Sequence, residues 1–153
     1  MSTQNQEIYL IVENVRSLFN VGSFFRCADV FGVTKIYLCG YTGYPPRQEI
    51  SKVALGAEDW INWEYKKQTL GLIKKLKKTG VTILALETVK SAISLPEFKP
   101  KYPLALVVGN EVEGISAVVL KEADAVVKIP MVGRKESLNV SVAAGVALYA
   151  LRR

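Results

Sequence analysis

The chain contains no histidine. That removes imidazole proton shuttles, Ser-His-Asp triads and His-ligated metals from the available chemistry. Cysteine is nearly absent as well. Cys27 and Cys39 are the only two, too few and too isolated for a zinc site or a disulfide framework. Both stand among apolar residues, which suits buried free thiols in a reducing compartment and argues against thiol catalysis. No apolar run approaches the roughly 20 residues of a membrane span. The opening stretch "MSTQNQEIYL" lacks the basic patch and apolar core of a secretory signal, so the cytoplasm is the expected location. Chemistry is left to Arg, Lys, Asp, Glu, Ser, Thr, Asn and Tyr, or to a bound cofactor. No metal site is expected.

What the chain does have is an excess of positive charge. Lys and Arg number 20 against 14 Asp and Glu, giving a net charge of +6. Such a balance favours a polyanionic partner, nucleic acid first among them. Half of the residues are hydrophobic, enough for one sizeable core, and 153 residues suit one domain. A single domain over 1–153, with no added RNA-binding domain, is therefore expected.

Strand-like and helix-like segments alternate along the whole chain. "IYLIV" (8–12), "KIYLC" (35–39), "VTILALE" (81–87), "LALVVG" (104–109) and "AVVKIP" (125–130) read as strands, and "WINWEY" (60–65) as a weaker one. Between them, residues 20–31 place Val21, Phe24, Phe25, Ala28 and Phe31 on one helical face, with Asn20 as N-cap and Gly32 as stop. Further helices are expected at 51–57, 68–78, 114–123 and 138–152. Six mostly apolar strands alternating with helices predict an α/β fold, a mostly parallel sheet covered on both faces.

In open α/β sheets ligands sit beyond the carboxyl ends of the strands. Three loops at those ends are unusually polar: "ENVRSLFNVGSFFR" after the first strand, "GNEVEGIS" after the fifth and "PMVGRKESLN" after the sixth. None is a dinucleotide or P-loop motif. In order and spacing they resemble the three signature motifs of the SpoU (TrmH-like) branch of the SPOUT RNA methyltransferases. The first matches at Asn14, Asn20, Gly22 and Arg26, the second at Gly109, Asn110, Glu111 and Gly114. The third matches at Ile129, Pro130, Met131, Gly133, Ser137, Leu138 and Asn139.

The resemblance implies transfer of a methyl group from S-adenosylmethionine to a ribose 2′-hydroxyl of tRNA or rRNA. It also implies a C-terminal trefoil knot and a homodimer whose active site is completed across the interface. Carried over residue by residue, it implies a catalytic cluster of Asn20, Arg26, Glu111, Ser137 and Asn139. Leu86, Thr88, Gly109, Asn110, Ile129, Met131, Ser137 and Leu138 would bind the cofactor. Asn14, Arg16, Arg26 and Arg134 would meet RNA. The competing reading is a family member that binds RNA and cofactor without catalysis, and the matching Arg, Glu, Ser and Asn argue against it.

Plainer roles compete at each position. Arg26 is three residues from Asp29, at ion-pair spacing on a helix. Because a guanidinium is effectively always protonated, holding phosphate and stabilising an emerging alkoxide suit it better than acting as a base. Glu111 and Glu113 can complement the start of the following helix; function is favoured for Glu111 and left open for Glu113. Ser137 and Asn139 are both potential caps for the last helix, which needs only one. That helix, "VSVAAGVALYAL", is apolar almost all round, so the core or a second subunit must cover it. Lysines 66, 67, 74, 75, 77 and 78 read better as a solvated face than as an RNA patch. Tyr41 and Tyr44 can either stack on bases or pack within their loop.

Overall fold

The computed structural model describes residues 6–152. Residues 1–5 and Arg153, counted in the expected domain and in its leader-free start, lie outside the described residues. Seven strands form one sheet: β1 (Ile8–Glu13), β2 (Lys35–Cys39), β3 (Trp63–Lys66), β4 (Thr82–Leu86), β5 (Ile93–Ser94), β6 (Leu104–Val108) and β7 (Ala125–Lys128). Their spatial order is β3-β2-β1-β6-β4-β7-β5, and every pairing is parallel. The expected sheet thus gains a seventh strand and is wholly parallel. The extra strand escaped notice because it is two residues long and pairs only with β7 at the edge. It also precedes a proline-containing turn at Leu95–Glu97, where no period of apolar residues can develop.

Side chains alternate between the two faces of each strand. On β1, Ile8, Leu10 and Val12 enter one core while Ile11 enters the other. The first core is roofed by α1 (Leu18–Phe31), α2 (Gln48–Ala54) and α5 (Val140–Arg152), whose buried residues join it. The second is roofed by α3 (Thr69–Lys78) and α4 (Ala117–Glu122). Burial on both sides explains why the central strands read as continuous apolar runs rather than as alternating ones. Among the described residues no helix is long and apolar enough to cross a membrane.

Helix boundaries move for identifiable reasons. Helix α1 starts two residues earlier than expected because Ser17, not Asn20, is its N-cap, its Oγ accepting from the Asn20 amide at 3.1 Å. Asn20 is thereby released for other contacts. Gly32 closes the helix in the left-handed conformation, φ 69°, as expected. The helix expected at 51–57 is instead α2 at 48–54 followed by a single 3-10 turn at 57–59. β3 begins at Trp63 rather than 60. Of the two thiols, Cys39 is buried but Cys27 is only half-buried, on the side of α1 facing α5.

The last helix is anchored at its far end. The Arg152 guanidinium donates to the carbonyls of Phe31 at 2.7 Å and of Gln6 and Gly32 at 2.5 Å. The Tyr102 hydroxyl donates to the Leu151 carbonyl. Helix α3 lies on the sheet face opposite α1 and α5, and its last turn, with Lys75, Lys77 and Lys78, points away from the carboxyl ends of the strands. Lys66 pairs with Glu64 at 2.5 Å, and Lys77 lies within 3.6 Å of both Glu122 and Asp124. These placements favour the solvated-face reading of the lysine run.

Gly22 has a packing role. A Cβ there would lie 2.6 Å from the Ile50 carbonyl oxygen and 2.9 Å from the Val53 Cβ, so α1 and α2 touch through the missing side chain. Gly→Ala in a helix interior normally gains up to about 1 kcal/mol. Here overpacking of about 1–3 kcal/mol opposes it. Gly22→Ala should therefore lower stability, read as a reduced urea midpoint at unchanged slope. A midpoint at or above wild type would mean that α2 yields without cost.

Candidate active site

The three polar loops meet at the carboxyl ends of β1, β6 and β7, and a chain of hydrogen bonds ties them together. Asn139 caps α5: its Oδ1 accepts from the amides of Ser141 at 2.9 Å and Val142 at 3.3 Å, and from the Ser141 hydroxyl at 2.6 Å. Its Nδ2 donates to Asn20 Oδ1 at 3.1 Å. Asn20, 8% exposed, passes the contact on, its Nδ2 donating to Glu111 Oε2 at 3.3 Å. Glu111 in turn accepts from the amides of Arg16 at 3.0 Å and Ser17 at 2.8 Å.

Glu111 therefore complements a helix start, but that of α1 rather than of the helix that follows it. A carboxylate at a helix N-terminus meets both unsatisfied amides and the positive end of the dipole. Burial pushes the Glu111 carboxyl up, but the Arg16 and Ser17 amides, its own amide and the Asn20 side chain together outweigh that and hold it below its ordinary value. At neutral pH it is an ionised acceptor with its lone pairs in use, not a proton donor.

Asn110 organises the second loop and is 9% exposed. Its Oδ1 accepts from the Val112 and Glu113 amides, both at 2.8 Å, and its Nδ2 donates to the Asn14 carbonyl at 2.9 Å and the Tyr41 hydroxyl at 2.8 Å. Asn14 stands in the left-handed conformation, φ 56°, with its Oδ1 accepting from the Tyr41 amide at 3.1 Å. Gly109 lacks a side chain for a local reason: a Cβ would come within 2.5 Å of the Gly114 and Ile115 backbone. The missing side chain lets the loop close on itself.

Sequence reasoning missed two carboxylates. Glu87 accepts from the Ile115 amide at 2.8 Å, and Glu13, 5% exposed, from the Ser116 amide at 2.9 Å. Each follows or ends a strand, a position where an acid without a visible partner is a usable signal for a backbone clamp.

A cleft opens beside this network. Its inner hollow, about 200 Å³, is lined by all eight residues expected to bind cofactor: Leu86, Thr88, Gly109, Asn110, Ile129, Met131, Ser137 and Leu138. Glu87, Glu111, Lys128, Glu136 and Val140 complete much of the wall. An outer hollow shares Thr88, Lys128, Ile129, Met131 and Glu136 with it and adds Arg134, so the two form one elongated cleft. Ser137 lines the inner part and does not cap α5.

Arg26 does not line this cleft. It is exposed on α1 and does not make the plainer ion pair with Asp29, which accepts from the Trp60 indole at 2.8 Å instead. It stands beside an apolar groove between α1 and α5, formed by Ser23, Cys27, Phe31, Val142, Gly145 and Tyr149. The outer side of α5 is correspondingly bare, with Val142 52% and Tyr149 62% exposed. Arg16 is exposed outside the cleft, over the Tyr41 ring, and Glu113 is exposed.

The Glu111 clamp has a pH signature. A carboxyl whose folded pKa is lowered contributes stability that is fully present above its ordinary pKa of 4.5 and is lost as pH falls through the folded value. Glu111→Gln should cost about 1 kcal/mol at pH 7, the low end for bonds to a charged group because the side chain is exposed. The gap in Tm between the variant and wild type should close as pH falls below the carboxylate range. A gap that persists at low pH would show that the charge contributes nothing.

Comparison with known proteins agrees with the geometry. Residues 7–149 match the model of the SpoU rRNA Methylase family. A tRNA (guanosine(18)-2′-O)-methyltransferase of Aquifex aeolicus is 30% identical over 154 residues, spanning 100% of this chain and 72% of its own length. An uncharacterized tRNA/rRNA methyltransferase of Archaeoglobus fulgidus is 38% identical over 144 residues, covering 94% of this chain and 63% of the relative. Among solved structures, the AdoMet-bound rRNA methyltransferase of Sinorhizobium meliloti superposes with a TM-score of 0.90 at 29% identity. That superposition takes in 99% of this chain and 58% of the other, so the chain spans under two thirds of that protein. With its three motif loops joined around one cleft, the chain belongs to the SpoU rRNA methylase family.

Proposed function

We propose that this chain is an RNA methyltransferase that uses S-adenosylmethionine to methylate a ribose 2′-hydroxyl of tRNA or rRNA. The observation that carries the reading is the convergence of all eight expected cofactor residues on one hollow beside the Asn139–Asn20–Glu111 chain. The names of the Aquifex and Sinorhizobium proteins support it. The donor set suits such a cofactor. Leu86, Ile129, Met131, Leu138 and Val140 offer an apolar slot for an adenine, and strand-end backbone groups can read its edge. Glu87, Glu111 and Glu136 outnumber Lys128 in the wall, which favours a cationic sulfonium. The reading also carries the trefoil knot, the homodimer and a cytoplasmic location.

Bound S-adenosylmethionine would supply a sulfonium methyl, and displacement by the ribose oxygen would break the carbon–sulfur bond and release the hydroxyl proton to solvent. Positioning then carries much of the rate. Ser137 presents its hydroxyl within the cleft. Asn139 and Asn20 hold each other's amides fixed, and Glu111 keeps the α1 loop in place. Arg26 joins the site when a second copy covers the apolar α1/α5 groove and brings that guanidinium to the neighbouring cleft. There it holds phosphate and stabilises the developing alkoxide.

Calorimetry should detect S-adenosylmethionine or its demethylated product, and no heat from either would remove the cofactor from the proposal. Sedimentation should show a dimer at micromolar concentration; an active monomer would overturn the shared site. In a tritiated-methyl assay on unmodified tRNA and rRNA, Arg26→Ala should lose about a hundredfold in rate with cofactor affinity retained. Arg26→Lys should be nearly as poor. Mixing Arg26→Ala with Ser137→Ala should restore activity through hybrid dimers, and failure to do so, with dimers exchanging, would place Arg26 in the cleft of its own chain.

A further inference from the structure

The loop joining β2 to α2 holds aromatic and cationic side chains that the cleft does not use. Tyr41 is 52% and Tyr44 45% exposed, yet neither is loose. The Tyr41 amide is held by Asn14 Oδ1 and its hydroxyl by Asn110 Nδ2, at 3.1 and 2.8 Å. The Arg16 guanidinium lies 5.3 Å from the centre of its ring. Tyr44 packs against Tyr65 and Trp63, with ring centres 4.8 and 5.9 Å away. Below them the Tyr65 hydroxyl donates to the Gly40 carbonyl at 2.6 Å, and Thr42 Oγ1 accepts from the Val15 amide at 3.1 Å. A hollow of about 440 Å³ opens between Tyr41, Tyr44, Arg47 and Tyr65.

We infer that this loop, with Arg16, is a platform for single-stranded RNA on which nucleotides flanking the methylated position stack. The inference rests on the RNA methyltransferase reading of the cleft. Three observations carry it. Rings already fixed by hydrogen bonds and neighbouring rings offer stacking area without a further ordering cost. Guanidinium groups interleave with them: Arg16 is exposed, and Arg47, half-exposed, has only a 3.9 Å contact to Glu49, leaving both available to phosphates. Finally, Asn110 lines the cofactor hollow and bonds Tyr41 directly, so the platform begins one side chain from that hollow. Only unpaired bases expose a face for such stacking, which makes a loop or single-stranded segment the substrate class. A duplex would touch only the charges.

The test is fluorescence anisotropy with two labelled probes, an RNA strand without internal pairing and a blunt RNA duplex of the same length. Wild type should prefer the strand. Tyr41→Ala and Tyr44→Ala should each weaken strand binding roughly tenfold and leave duplex binding unchanged, and Tyr44→Ala should also leave S-adenosylmethionine affinity unchanged. Tyr44→Phe should bind as wild type. If Tyr44→Ala fails to fold, Tyr44→Leu, which keeps bulk without an aromatic face, carries the same expectation. Wild-type strand affinity in the alanine variants, or equal loss for strand and duplex, overturns the inference. A wild type that shows this pattern but methylates no RNA would sink the function and leave the platform. One that methylates RNA with KM unchanged in the tyrosine variants would sink the platform alone.

Discussion

The contact on which the rest of the site depends is the pair of asparagines, Asn20 and Asn139. Each uses both ends of its amide. Asn139 spends its oxygen capping α5 and its nitrogen on Asn20; Asn20 spends its nitrogen on Glu111. A primary amide donates and accepts at once while staying neutral. Two in series therefore join a helix start, a second helix and a loop with no net charge to desolvate. Because Asn139 begins α5, the cleft wall at Ser137 and Leu138 is set by where that helix starts.

Around this pair, loops that would otherwise expose backbone amides are closed by acids. Glu13 and Glu87 both reach across to the segment entering α4, at Ser116 and Ile115, and Glu111 to the start of α1. Two backbone or hydroxyl donors on one carboxylate fix its rotamer and the segment it reaches. The cleft is thus built from groups whose hydrogen bonds are already spent on one another. Ser137 and the backbone edges lining the cleft remain to meet a ligand. Preorganisation of that kind fits a reaction in which alignment matters more than acid–base exchange.

Much of the fold was legible because the strands are buried on both faces. Continuous runs such as Leu104–Val108 and Lys35–Cys39 have no competing period. The short edge strand at Ile93–Ser94 was not legible, since two residues carry no pattern. The motif loops converge on one cleft, but their spacing did not reveal the local roles within it. Gly22 and Gly109 answer to neighbouring backbone and side chains, Ser17 rather than Asn20 caps α1, and Asn110 is consumed by its own loop. Those roles depend on which amide lies opposite a side chain after folding, and residue spacing holds no record of that. The bare side of α5 was foreseeable from its all-round apolar composition, whereas the Trp60 contact that frees Arg26 from Asp29 spans 31 residues and was not.

The Arg152 clasp bears on how longer relatives are assembled. By gripping the carbonyls of Gln6, Phe31 and Gly32, it holds the end of α5 against the entry to β1. That is the pole of the sheet opposite the cleft. Gln6 and Arg152 thus share one small patch, with the sheet between it and the cleft. An appended module could reach bound RNA only by curving around the domain's flank or by serving the neighbouring copy.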